Sequence, residues 1–167
     1  MERQIQEIIA VADLVQGLYR SPKRLWLSFD EWNVWYRARS HEHLDGKGQF
    51  APHLLEEVFN LEDALLTGGF LNTLMRNSDR VRVACLAQIM NVIAPLVTSP
   101  TGILRQSIFY PYQLVLQYAR GRMLDIHIES ETYPIRADGL RPDFARNADV
   151  PFLDVVDTVM QVLSGLS

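Results

Sequence analysis

The sequence predicts an α/β chain that gives way to a β segment, and three observations carry that prediction. Two short apolar runs, Arg24–Phe29 and Val81–Ala87, alternate with helical stretches in the order helix, strand, helix, strand, helix. Parallel strands joined by crossover helices require that order. The first run ends in adjacent acids and a set of aromatics, at the strand end where functional side chains collect in parallel α/β architectures. Near Gly121 the pattern changes: Leu124, Ile126 and Ile128 alternate with Asp125, His127 and Glu129, as in a strand with one face in water. The predicted organisation is residues 1–121 and 122–167, with no internal repeat.

Residues 4–19 predict an amphipathic helix, because Ile5, Ile8, Ile9, Ala12, Val15 and Tyr19 recur at helical spacing. Ser21-Pro22 punctuates its end. The run Arg24–Phe29 has strand length and is followed by Asp30, Glu31 and the cluster Trp32 to Tyr36. Residues 38–53 form a polar loop containing Gly46 and Gly48. Residues 54–76 predict helix, with Asn60 ahead of Glu62 and Asp63 as a fresh start. Gly68-Gly69 inside it suggests close packing; no strand precedes and no Lys-Ser/Thr follows, so it is not a phosphate loop. Asn77 to Asp79 predicts a turn, and Val81–Ala87 a second, buried strand. After a Pro-containing connection, residues 103–119 suggest a helix interrupted near Pro111, and the remainder, through Pro134, Gly139, Pro142 and Pro151, short strands and turns.

Composition bounds the function. At 167 residues the chain can bury one ordinary core, but a complete (β/α)8 barrel takes about 250. Hydrophobic residues make up 48% and charged residues 22%, a globular balance. The net charge of −4 and the scatter of the Lys and Arg residues argue against nucleic acid as the main partner. No stretch reaches the roughly 18 apolar residues of a membrane span, and the N-terminus lacks the pattern of a signal peptide. An intracellular, soluble protein is the expected class. Cys85, the single cysteine, reads as a small buried hydrophobe rather than a reactive thiol.

The segment Leu27 to Arg37 is the strongest candidate for chemistry. Asp30 and Glu31 are neighbours on an extended segment and should point to opposite sides, so they are not expected to form one acid/nucleophile pair. Trp26, Trp32 and Trp35 read equally as sugar-stacking surfaces or as core filler around a buried ion pair. His41, Glu42, His43 and Asp45 resemble a metal site in spacing, but a solvated loop is the stronger reading. His53 and His127 stand alone, and no Gly-x-Ser-x-Gly elbow occurs. No cofactor is expected. Gln88 and Asn91 follow the second strand and could donate to a ligand, although a helix cap is the simpler role.

On these residues a family resemblance appears. Ser28-Phe-Asp-Glu-Trp-Asn-Val-Trp-Tyr36 closely resembles the nucleophile segment of family 51 glycoside hydrolases, the intracellular α-L-arabinofuranosidases. The similarity continues through Asn60 to Ala64, Gly68-Gly69, Leu71 to Leu74, Arg76-Asn77, Ala87-Gln88, Asn91 to Pro95 and Phe109 to Tyr112, and more loosely over Asp149 to Asp154. It implies the last two βα units of a (β/α)8 TIM barrel followed by the first strands of a jelly-roll β-sandwich, with strand seven ending at Glu31 and strand eight at Val81–Ala87. By the same resemblance Glu31 matches the catalytic nucleophile, Trp35 lines the arabinose pocket and Gln88 hydrogen-bonds the sugar. Homo-oligomers and arabinofuranosyl-containing oligosaccharides are the implied partners. Retaining glycosidases need a second carboxyl roughly 5–5.5 Å from the nucleophile. The family carries it in an Asn-Glu segment, and no Asn-Glu dipeptide occurs in the sequence. The resemblance therefore implies a fragment of a longer enzyme that is inactive alone; the alternative is a truncated product that turns over nothing and acts at most as a structural or interaction module.

Overall fold

The computed structural model describes residues 1–35, 57–124, 129, 131–135 and 148–151. Its elements are α1 (Glu2–Leu18), β1 (Leu27–Trp32), α2 (Leu61–Arg76), β2 (Val81–Leu86), β3 (Leu96–Ser99), β4 (Gly102–Arg105), α3 (Phe109–Tyr118), β5 (Thr132–Ile135) and β6 (Ala148–Pro151). β1 and β2 pair in parallel with α2 between them in the chain, as the alternation of elements predicts. β5 and β6 pair antiparallel. The alternating stretch at 125–128 lies outside the described residues.

α1 begins two residues ahead of the predicted span and ends in two backbone bonds, Arg20 N–H to the Gly17 carbonyl (3.1 Å) and Ser21 N–H to the Gln16 carbonyl (3.0 Å). Arg20 takes a φ of 47°, so the pair is a Schellman closure with Arg at the left-handed position that glycine usually holds. Only Ile5 of α1 is buried. Polar contacts fix the rest of the helix. Asn77 donates to Glu2 (2.9 and 3.0 Å) and accepts from Gln6 (2.6 Å), while Arg80 grips Asp13 through two bonds of 2.8 and 2.7 Å. Arg80 also donates to the Leu25 carbonyl (3.3 Å), and its own carbonyl takes the Leu27 N–H (2.8 Å). One arginine thus ties α1 to the starts of both parallel strands.

The hydrogen bonds from Arg80 are the main cause holding the Asp13 carboxyl below its ordinary value of 3.8. A carboxyl depressed by folding stabilises fully above its unfolded pKa, and that contribution fades as pH falls through the lower folded value. Urea melts of the native chain and Asp13→Asn should therefore differ at neutral pH and converge at pH values below the carboxylate range. A difference that persists unchanged into acid would sink this assignment.

The helix predicted over 54–76 begins only at Leu61, at the fresh start marked by Asn60. Asn60 accepts from the Asp63 N–H (3.2 Å), and the Asp63 carboxylate accepts from the Asn60 N–H (2.7 Å), a complete capping box. Residues 57–60 are not helical. Gly68 is buried, as close packing predicts, but a Cβ at Gly69 would meet nothing within 4 Å. The main core gathers Ile5, Trp32, Leu71, Leu74 and Val81. A second cluster joins Val34, Phe59 and Ile108.

Two predictions need correction. β2 is a strand but not a buried one: Val81 is buried, while Arg82, Val83 and Cys85 are exposed. Among the described residues its only strand neighbour is β1, and no described strand pairs with its other edge. The helix predicted over 103–119 begins only at Phe109, because residues 96–105 form a β-hairpin with Ser99 opposite Gly102. Pro111 sits in the first turn of α3, where its missing N–H has no helical acceptor to lose, and it causes no break. Beyond α3 the chain turns at Gly121, whose φ of 93° suits glycine.

Candidate active site

The site is built at the carboxyl ends of β1 and β2. Leu27 and Phe29 of β1 pack on the main core, and a regular strand would place residue 31 in the same row. The register breaks there. Phe29 pairs with Ala84 and Trp32 with Leu86, so β1 takes three steps against two on β2. This bulge returns Trp32 to the core at 5% exposure and leaves both Asp30 and Glu31 exposed. The strand is therefore not regular where the two acids sit. Without the extra residue, a carboxylate would enter the row that packs against apolar side chains, which costs several kcal/mol for an unpaired charge.

Trp32 is held by Phe70 (centroids 6.2 Å, edge-on) and Tyr112 (6.1 Å). Of the three tryptophans only Trp32 is core; Trp35, three residues past the end of β1, is 46% exposed. Trp26 is exposed near the start of β1, where the Arg82 guanidinium lies 5.5 Å from its ring centre. Gln88 is exposed just past the end of β2. The Ala87 N–H donates to the Trp32 carbonyl (3.0 Å), which continues the parallel ladder to the point where both chains leave it. Glu31, Trp35 and Gln88 are therefore all exposed, at the same end of two adjacent strands. Among the described residues no basic side chain pairs with Asp30 or Glu31.

Asn91 is exposed and caps no helix. At a φ of 68° it bonds the Thr98 N–H (2.7 Å) and hydroxyl (2.8 Å), bracing the hairpin. Asn33 escaped sequence reasoning. Its amide donates to the carbonyls of Ala87 and Ile93 and accepts from the Val34 N–H (2.7 Å). Gln106 also escaped it: buried, it donates to the Ala94 carbonyl (2.8 Å) and accepts from the Phe59 N–H (3.1 Å). The sole signal for Asn33 was an amide side chain in an otherwise apolar context, and Gln106, between Arg105 and Ser107, gave none.

His41, Glu42, His43, Asp45, His53 and His127 lie outside the described residues. Among the described residues no group of three or more His, Cys, Asp or Glu could hold a metal ion, and no helix is long and apolar enough to cross a membrane. A groove of about 390 Å³ runs beside α3, lined by Leu86, Ile89, Leu96, Phe109 and Tyr112 among others. It contains no carboxylate, imidazole or thiol, so the candidate chemistry stays with the strand ends.

Comparison with known proteins bears on this arrangement. A family model described as the α-L-arabinofuranosidase C-terminal domain matches residues 30–164. The chain is 44% identical over 155 residues to an intracellular exo-α-(1→5)-L-arabinofuranosidase of Halalkalibacterium halodurans, covering 92% of this chain and 29% of that protein. It is 41% identical over 151 residues to a protein of the same description from Bacillus subtilis, covering 90% and 28%. A solved family 51 α-L-arabinofuranosidase from Bifidobacterium longum superposes with a TM-score of 0.73 at 34% identity, over 90% of this chain and 30% of that one. The chain thus spans somewhat under a third of these relatives.

Proposed function

Because the chain belongs to the α-L-arabinofuranosidase C-terminal domain family, we propose that it carries the nucleophile side of a retaining glycosidase site for terminal α-L-arabinofuranosyl groups. Glu31 is the nucleophile. The observation that carries this reading is the bulge that takes Glu31 out of the core row and leaves it exposed at the strand end shared with Gln88. In the first half-reaction a Glu31 carboxylate oxygen bonds to the anomeric carbon as the bond to the leaving oxygen breaks. The leaving oxygen must take a proton from a second carboxyl, which later draws a proton from the attacking water. That second carboxyl comes from outside residues 1–167. Trp35 offers an apolar ring to the sugar, and Gln88 hydrogen-bonds its hydroxyls.

The strand pair and its helices are read as the last two βα units of a (β/α)8 barrel, with residues 122–167 as the first strands of a sandwich. The exposed Ile8, Val11, Leu18 and Leu116 suit burial against the remaining units or against further copies in a homo-oligomer. The relatives named intracellular support a cytoplasmic setting.

A substrate that needs no proton donor tests the reading. A dinitrophenyl α-L-arabinofuranoside loses its phenolate unaided, so the chain should accumulate a pentosyl ester on Glu31, found by intact-mass and peptide mass spectrometry. Hydrolysis of unactivated arabinosides should be undetectable or nearly so. Absence of the ester after prolonged incubation would overturn the assignment.

A further inference from the structure

We infer that Asn33 is the positioning residue that sets Gln88 and Trp35 relative to Glu31, an inference that rests on the reading of the site given above. Asn33 follows β1 directly, two residues after Glu31, and its side chain leaves its own strand altogether. Both amide hydrogens are used: one goes to the carbonyl of Ala87, the residue before Gln88, and the other to the carbonyl of Ile93, further along the same loop. The amide oxygen takes the Val34 N–H at 2.7 Å. With two donors and one acceptor engaged, only this orientation of the amide satisfies all three partners.

The loop that carries Gln88 has other anchors, and they differ in what they fix. Asn91 bonds Thr98, and Gln106 bonds the Ala94 carbonyl through its side chain and the Pro95 carbonyl (2.8 Å) through its backbone. These attach the far side of the loop to the hairpin and to the segment ahead of α3. Asn33 is the side chain, among those described, that attaches the loop to the end of β1, at both the Gln88 side and the Ile93 side. The same amide sets the exit of β1 through Val34, which is buried against Phe59 and Ile108 and immediately precedes Trp35. The nucleophile strand and its two sugar contacts are therefore coupled through one carboxamide. Misplacing a substrate contact by about 1 Å can cost on the order of 100-fold in rate.

Asn33→Asp tests this, because it keeps the shape, removes both donors and sets a negative charge against two carbonyl oxygens. Two measurements on the full chain separate the outcomes. By hydrogen exchange, residues 87–93 should lose protection while α1 and α2 keep theirs; unchanged protection at 87–93 would overturn the inference. In the dinitrophenyl arabinofuranoside assay, ester formation on Glu31 should slow by about 10- to 100-fold. The loss in Asn33→Asp/Gln88→Ala should be smaller than the product of the single losses, because both variants disable the same contact. Fully multiplicative losses would count against Asn33 acting through Gln88. Failure of the native chain to form the ester would refute the function proposed above, and hydrogen exchange alone would then decide whether Asn33 holds the loop. If Asn33→Asp does not fold, Asn33→Ser, smaller and uncharged, carries the same comparison.

Discussion

Glu31→Gln should form no pentosyl ester with an activated aryl α-L-arabinofuranoside and should still fold as the native chain does. The amide is isosteric but lacks the anionic oxygen that attacks the anomeric carbon, and loss of a nucleophile costs on the order of 10⁴- to 10⁶-fold. Stability should change little, because Glu31 is exposed in β1 and pairs with no basic side chain among the described residues. A change within about 0.5 kcal/mol is expected in a urea melt, as for surface substitutions in general. Asp30→Asn supplies the contrast. Asp30 is also exposed and is its immediate neighbour, so general electrostatic damage would show in both variants. Only Glu31→Gln should abolish the ester, with peptide mapping of the native adduct to residue 31. A native adduct on Asp30, or an adduct that survives in Glu31→Gln, would remove Glu31 from the role.

Much of the fold was legible because it depends on local chemistry. The parallel pair β1–β2 follows from a helix between two short apolar runs, and the capping box at Asn60 is written in Asn60 and Asp63 themselves. The register break at Asp30 and Glu31 was not legible, since it is defined by which residues of β2 face Phe29 and Trp32. In retrospect the three-residue step from one core aromatic to the next hints at it, because a regular strand cannot bury both on one face. The hairpin at 96–105 was missed for another reason. Ser99, Pro100, Thr101 and Gly102 are turn formers, but the apolar residues after them also fit the helical period that continues into α3. Cys85 and its neighbours read as buried because an apolar run implies two covered faces, whereas the described elements cover only part of β2. The roles of Asn33, Asn91 and Gln106 depend on backbone carbonyls and N–H groups that any residue could supply, so side-chain identity alone did not reveal their partners.

Trp32→Ala is the substitution expected to do the most structural damage, at about 3–5 kcal/mol. Trp32 is 5% exposed, joins Ile5, Leu71, Leu74 and Val81, and meets the rings of Phe70 and Tyr112. Against a typical domain stability of about 5–15 kcal/mol, that loss would leave a substantial unfolded population. It should also release the bulge, because the indole is the side chain returned to the core after Asp30 and Glu31. Trp32→Phe separates the two effects. It keeps an aromatic contact with Phe70 and removes a buried indole N–H that has no hydrogen-bond partner among the described residues, a group whose desolvation alone costs about 1–3 kcal/mol. Its net loss should therefore fall well below that of Trp32→Ala, and its rate of ester formation should stay nearer the native value. Urea denaturation followed by far-UV circular dichroism reads the first quantity, and the activated-substrate assay reads the second. A loss below about 1 kcal/mol in Trp32→Ala, the size of an ordinary substitution, would show that the core does not hinge on this residue. The placement of Glu31 would then need another cause than the burial of its neighbour.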